Sequence, residues 1–172
     1  MSTRRKIVSL VSLVSFLSLS LACNRADLPQ ALSAGSRTRK ARIYLVSIER
    51  GKATGPEIGC GGSLEALEVE LPVPTPALQG SLEALLDAGQ QHQSAGFYNS
   101  LANSPLRIER IEHNGGKARV DLSGYLELGG ECDGSRVLEQ LTETATQFRD
   151  VTKAEFFLGG KPLRKLLSGK GS

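Results

Sequence analysis

The chain has 172 residues, with 21 Lys or Arg against 18 Asp or Glu and a formal net charge of +3. Arg4, Arg5 and Lys6 lie in a stretch, residues 1–22, that holds no acid, and the other 150 residues carry 18 basic and 18 acidic side chains. A near-neutral chain without Trp and with only 5% aromatic residues lacks the basic field and stacking groups of nucleic-acid binders, so no nucleic-acid partner is expected. The length suits one domain, and 40% hydrophobic content is enough to bury a core.

The first element is a targeting segment. Arg4, Arg5 and Lys6 form its positive head, and Ile7 to Leu21 is an apolar run of 15 residues diluted by Ser9, Ser12, Ser15, Ser18 and Ser20. About 20 apolar residues span a bilayer comfortably, so this length fits a signal-peptide core better than a membrane span. The run ends at Ser20-Leu21-Ala22-Cys23. This resembles the lipobox of bacterial lipoproteins, although Ser20 stands where those usually have Leu. The resemblance implies removal of residues 1–22, lipid on Cys23, and anchoring at the extracytoplasmic face of a cell membrane. An ordinary signal peptide cleaved near Ala22 and an uncleaved anchor are the alternatives. Export also changes how the cysteines read. With Cys23 committed to lipid, Cys60 and Cys132 remain, and an even pair in an oxidising compartment is expected to form a disulfide. Neither has a Cys or His at zinc-ligand spacing.

Residues 23–41 read as a flexible tether of Arg, Ser, Ala, Gly and Pro without apolar periodicity, and its 18 residues from Asn24 to Ala41 would form a coil of roughly 20–25 Å. Its end clusters Arg37, Arg39, Lys40 and Arg42, read as solvated linker rather than a lipid-binding patch. The folded region is expected over 42–163. Arg42 to Ile48 predicts a buried strand, and the Gly-rich stretch from Glu49 to Gly62 a loop. Leu64 to Leu71 alternates as a second strand, stopped by Pro72, Pro74 and Pro76. Leu78, Leu82, Leu85 and Leu86 then lie on one helical face that closes near Gly89. Residues 90–105 are polar and irregular. Leu106–Ile111 and Ala118–Leu122 flank Asn114-Gly115-Gly116, a hairpin signal, with the spacing of Ile108 and Ile111 suggesting a bulge. Ser135 is a plausible N-cap for a helix striped by Val137, Leu138, Leu141, Ala145 and Phe148. Lys153 to Leu158 predicts the last strand, and 164–172 a basic, frayed tail. The order β-β-α-β-β-α-β implies an α/β chain, an α+β sandwich with two helices on one mixed sheet. Either Arg42–Ile48 or Lys153–Leu158 is the expected open edge for docking.

Certain segments resemble the GerMN domain of sporulation and spore-germination lipoproteins. They are Arg42-Ile43-Tyr44-Leu45-Val46, Gly59-Cys60, Leu82-Glu83-Ala84-Leu85-Leu86, and Leu106-Arg107-Ile108 after Pro105. Gly116 through Ser123, the helix from Gln140 to Phe148, Ala154-x-Phe156 and Gly160-Lys161-Pro162 complete the series. The resemblance implies a fold similar to ring-building modules and an envelope role without catalytic residues or cofactors.

Direct chemical readings agree with that expectation. His92 and His113 are the two histidines; a Cys60/His113 thiol site competes with the Cys60–Cys132 disulfide. Asp121 on a strand is expected to face solvent or cap the Ser123 turn. Glu131 and Asp133 are too few oxygen donors for calcium. The expected function is therefore non-enzymatic: a membrane-anchored module that binds other envelope proteins or forms homo-oligomers. The alternative is an extracytoplasmic small-molecule or glycan-binding domain.

Overall fold

The computed structural model describes residues 37–47, 54–90 and 95–168. Cys23, His92, Ile48 and the targeting segment lie outside these residues. The described chain is an α+β fold of two four-stranded sheets and three helices. Strand β1 (Thr38–Ser47) pairs antiparallel with β3 (Gly62–Pro72), from Thr38 opposite Pro72 to Ser47 opposite Ser63. The two-residue strands β2 (Glu57–Ile58) and β4 (Phe97–Tyr98) flank them, giving sheet A the order β2-β3-β1-β4. Sheet B has the order β5-β6-β7-β8, from β5 (Arg107–Asn114), β6 (Lys117–Ser123), β7 (Lys153–Leu158) and β8 (Lys161–Pro162). β5 and β6 form the hairpin expected around Asn114, and the ladder shifts register between Ile108 and Arg110, where a bulge was anticipated. β6 and β7 run parallel, joined by a crossover that contains the second helix.

Two sheets rather than one mixed sheet are the main difference from the expected topology. Helix α1 (Ala77–Asp87) packs against β1, β3 and β5, and helix α2 (Asp133–Thr146) against β1 and β7. The helix pair thus contacts both sheets and gives each an apolar face to bury. Ile43 and Leu45 of β1, Leu82 and Leu85 of α1, Val120 and Leu122 of β6, Val137 and Leu141 of α2, and Phe156 of β7 meet in one core.

Three local differences have physical causes. First, the strand expected at Arg42 begins at Thr38, inside the stretch read as tether. The basic residues there face the acids of β3: Lys40 Nζ lies 2.6 Å from Glu68 Oε1, and Thr38 Oγ1 donates to Glu70 at 3.2 Å. Cross-strand pairs of opposite charge favour this register. Second, the tail is folded through Ser168. Helix α3 (Leu163–Ser168) buries Leu163 and Leu167, one turn apart, in the core. Third, α2 begins at Asp133 rather than after Ser135. Ser135 Oγ donates back to the Cys132 carbonyl at 3.0 Å, and Asp133 places its negative charge in the first turn, at the positive end of the helix dipole. Among the described residues no helix is long and apolar enough to cross a membrane.

Candidate functional site

The free side of β1 is closed by side chains. β4 pairs only with Val46 and Ser47, leaving Arg42 and Tyr44 of β1 beside α2. Gln140, Thr144 and Gln147 lie at i, i+4 and i+7, one helical face. Gln147 Oε1 accepts from Arg42 N–H at 3.0 Å, and its Nε2 donates to Arg42 C=O at 2.7 Å. Thr144 Oγ1 accepts from Tyr44 N–H at 3.2 Å, and Gln140 Nε2 donates to Tyr44 C=O at 3.0 Å. Gln140 is wholly buried and also accepts from Ser100 N–H at 3.0 Å and donates to Asn99 Oδ1 at 3.2 Å. The helix therefore supplies the hydrogen bonds of a missing strand. Of the two strands proposed as docking edges, β1 is an interior strand of sheet A and is not available.

Sheet B turns a polar face to solvent. Alternation places Val120 and Leu122 inward and Arg119 and Asp121 outward, with Arg110 and Phe157 opposite Asp121 on the neighbouring strands. Asp121 accepts from Arg119 Nη2 at 2.7 Å and Nε at 3.2 Å, and from Arg110 Nη2 at 3.2 Å and Nε at 3.4 Å. The Arg119 hydrogen bond first, and Arg110 second, hold this carboxyl below the usual carboxylate range. A carboxylate so saturated is a weak proton acceptor, which makes it a structural clamp rather than a general base. The Arg119 guanidinium in turn lies 3.6 Å from the centre of the Phe157 ring. The expectation that Asp121 lies on the solvent side holds; capping of the Ser123 turn is replaced by the double arginine clamp.

Cys60 and Cys132 are joined, with Cα atoms 5.9 Å apart. The bond ties the short 3₁₀ turn Gly59–Gly61 to the start of α2. Next to it, Asp133 is 2% exposed and accepts from Tyr98 O–H and Gly129 N–H, both at 2.8 Å. Burial, then the hydrogen bond to Asp133, pushes the Tyr98 hydroxyl up to about 12. The Asp133 carboxylate is thus committed inward, and among the described residues no group of three or more metal-ligating side chains occurs. His113 is engaged elsewhere: its Nε2 lies 2.7 Å from the Asp150 carbonyl. The structure does not bring Cys60 and His113 into a nucleophile pair, since the Cys60 sulfur is bonded to Cys132.

A profile of the Germane family, described as "Sporulation and spore germination", matches residues 61–164, more than half of the chain. The chain belongs to this family. The Germane segment runs from the start of β3 to the start of α3, so β1 and Cys60 lie ahead of it. Among solved structures, the first GerMN domain of the sporulation protein GerM from Bacillus subtilis is similar, at TM-score 0.52 and 22% identity. That likeness covers 73% of this chain and 86% of that one. The tandem GerMN domains of the same protein match with the same score and identity, over 73% of this chain and 41% of theirs. At this identity the likeness establishes the Germane fold. Comparison with curated protein sequences finds no significant match.

Within the Germane fold, sequence reasoning missed the Gln140–Thr144–Gln147 ladder, the Tyr98–Asp133 pair and the arginines around Asp121. The i, i+4, i+7 spacing of the ladder was a usable signal. Polar residues at that spacing normally mark a solvated face, and only the position of β1 shows that this face is turned inward.

Proposed function

We propose that this protein is a non-enzymatic, membrane-anchored envelope module that binds other envelope proteins or further copies of itself, in sporulation, germination or envelope assembly. The observation that carries the reading is the outward face of sheet B. Arg110, Arg119, Asp121 and Phe157 form a mutually fixed, charged and aromatic surface, composed like the arginine- and aromatic-rich patches of protein interfaces. The groups that could have served chemistry are in structural bonds: Cys60 in the disulfide, Asp133 with Tyr98, Asp121 between two guanidiniums.

In this reading residues 1–22 are removed, Cys23 carries lipid at the extracytoplasmic face, and the segment between Cys23 and β1 is the tether. Lipid anchoring confines the domain to a surface, which raises the effective concentration of weak contacts. Cys60 and Cys132 are bonded in the exported protein. The alternative, a small-molecule or glycan site, is favoured by a separate open groove of about 780 Å³. That groove presents Tyr125, 61% exposed, near Glu83, Asn103 and Arg107.

Two measurements test the proposal. Replacement of Cys23 by Ala should release the protein from membranes; a variant that stays bound would remove the lipid anchor. Photo-crosslinking in intact cells from position 119 should recover one defined partner or a homo-oligomer. Recovery of random neighbours only, with a saturable small ligand in calorimetry, would replace this function by the alternative.

A further inference from the structure

The route by which a partner is held can be read from the other candidate edge, β7. In the parallel pair with β6, Lys153 N–H donates to Gly116 C=O at 3.1 Å, and Gly159 N–H donates to Leu122 C=O at 3.2 Å. Strand backbone groups alternate sides, so Lys153, Glu155 and Phe157 spend theirs on β6, while Ala154, Phe156 and Leu158 point away. β8 is two residues long and pairs only with Phe157 and Leu158. The backbone N–H and C=O of Ala154 and the N–H of Phe156 are therefore turned to a groove of about 300 Å³. Leu138 and Thr142 of α2 form one wall, and Arg164 and Lys165 of α3 form the rim.

The other long edge of sheet B is unsuited to pairing. β5 is bulged between Ile108 and Arg110 and carries Arg107, Glu109, Arg110 and Glu112 in alternating sign, the features by which sheets discourage added strands. β7 has the opposite character: a short open edge above an apolar wall.

We infer that the β7 groove binds an extended acidic segment of a partner protein by strand addition. The open backbone groups fix the segment's form, because only a strand matches alternating donors and acceptors on an edge. Leu138 and Ala154, both half-buried along the groove, meet its alternate apolar side chains. Charge selects its composition. Arg164 and Lys165 are exposed and make no ion pair among the described residues, whereas Lys153 is neutralised by Glu155 at 2.6 Å. The chain's own last residues, 169–172, carry Lys170 and no acid, so they match this rim poorly.

This inference deepens the protein-binding function and rests on it, and its test separates the two. The probes are fluorescein-labelled hexapeptides alternating Val and Glu, Val and Lys, and Val and Glu with a central Pro, titrated against the full chain in detergent micelles. The Val/Glu peptide should bind at least tenfold more tightly than the Val/Lys peptide and lose affinity with added salt. It should slow amide exchange over residues 153–157, and the Pro-interrupted peptide should not bind. The double substitution Arg164→Glu, Lys165→Glu, at exposed positions, should lower Val/Glu affinity at least tenfold with an unchanged melting temperature. Equal binding of the Val/Lys peptide, or protection of Arg107–Asn114 instead, overturns the inference. So does binding of anionic phospholipid vesicles, but not peptide, that the double substitution abolishes. A crosslinked partner that survives the double substitution leaves the protein-binding function standing and removes only the β7 groove.

Discussion

Replacing Gln140 by Ala probes how far the buried amide ladder supports the fold. Gln140 is wholly buried and makes three hydrogen bonds, to Ser100 N–H, Tyr44 C=O and Asn99 Oδ1. Asn99 Oδ1 keeps a second donor, Leu101 N–H at 3.0 Å, so two backbone groups are orphaned. Each buried orphan costs about 1–3 kcal/mol, and the vacated volume adds about 1 kcal/mol or more. The expected loss is about 3–7 kcal/mol, a large share of the roughly 5–15 kcal/mol that holds a domain together. Gln147 makes two bonds to Arg42 in an exposed setting, where water replaces them, so Gln147→Ala should cost only about 1 kcal/mol. Gln140→Leu fills the volume but leaves both orphans, and should cost about 2–6 kcal/mol. Urea unfolding followed by far-ultraviolet circular dichroism, with the disulfide intact, measures all three. Equal losses for Gln140→Ala and Gln147→Ala, or a Gln140→Leu loss below about 1 kcal/mol, would refute the argument that buried backbone satisfaction decides the stability of this junction.

Three further outcomes follow from the structure. Leu163 is fully buried in α3, so Leu163→Ala should destabilise by about 2–5 kcal/mol in the same assay, whereas a frayed tail would tolerate it. Reducing the Cys60–Cys132 bond, which spans a sequence separation of 72, should remove about 4 kcal/mol in the chain-entropy model; mass spectrometry of non-reduced protein should show no alkylatable thiol at either residue. Asp121 has a folded-state pKa below its ordinary value. Its stabilisation should be complete above about pH 4 and disappear as pH falls through the lower folded value. Melting temperature against pH should accordingly show a smaller acid-side decline in Asp121→Asn than in the parent.

The local elements were legible because apolar periodicity reports one-sided burial. Leu82 and Leu85 mark the buried face of α1, and Val120 and Leu122 that of β6, whatever they pack against. β7 emerged at its observed bounds, Lys153–Leu158, for the same reason. What the pattern does not encode is pairing. A run of β-branched residues is compatible with one mixed sheet or with two sheets, and the choice depends on long-range register. The Asp121 clamp had the same obstacle: Arg110 is a cross-strand neighbour only once β5 and β6 are aligned through the bulge. α3 was missed because three leucines among Arg, Lys and Ser in six residues form too short a period to stand out, yet Leu163 and Leu167 are buried and Leu167 packs over Gly134. The cysteine pair was legible by parity and compartment alone, without geometry.

The ladder on β1 also bears on why β1, unlike β7, is not an open edge. With the lipid anchor proposed at Cys23, the chain would meet its own copies at raised local concentration, and unpaired strand edges are templates for indiscriminate association. Sheet A covers one end of each long strand with an outer strand of two residues, β2 opposite Gly62 and Ser63 and β4 opposite Val46 and Ser47. Past the end of β4 it uses side chains whose chemistry duplicates the peptide group. A glutamine amide carries a donor and an acceptor in one plane, so Gln147 can answer both the N–H and the C=O of Arg42 as a neighbouring residue would. A charged side chain cannot do this, since Lys offers only donors and Glu only acceptors. Sheet B uses a bulge and alternating charge on β5 instead. Once these devices are in place, Ala154 and Phe156 retain an edge that is short, walled by α2 and rimmed by cations. Such an edge admits a single strand of one charge type and excludes the broad sheet-to-sheet contact that an unprotected β1 would invite.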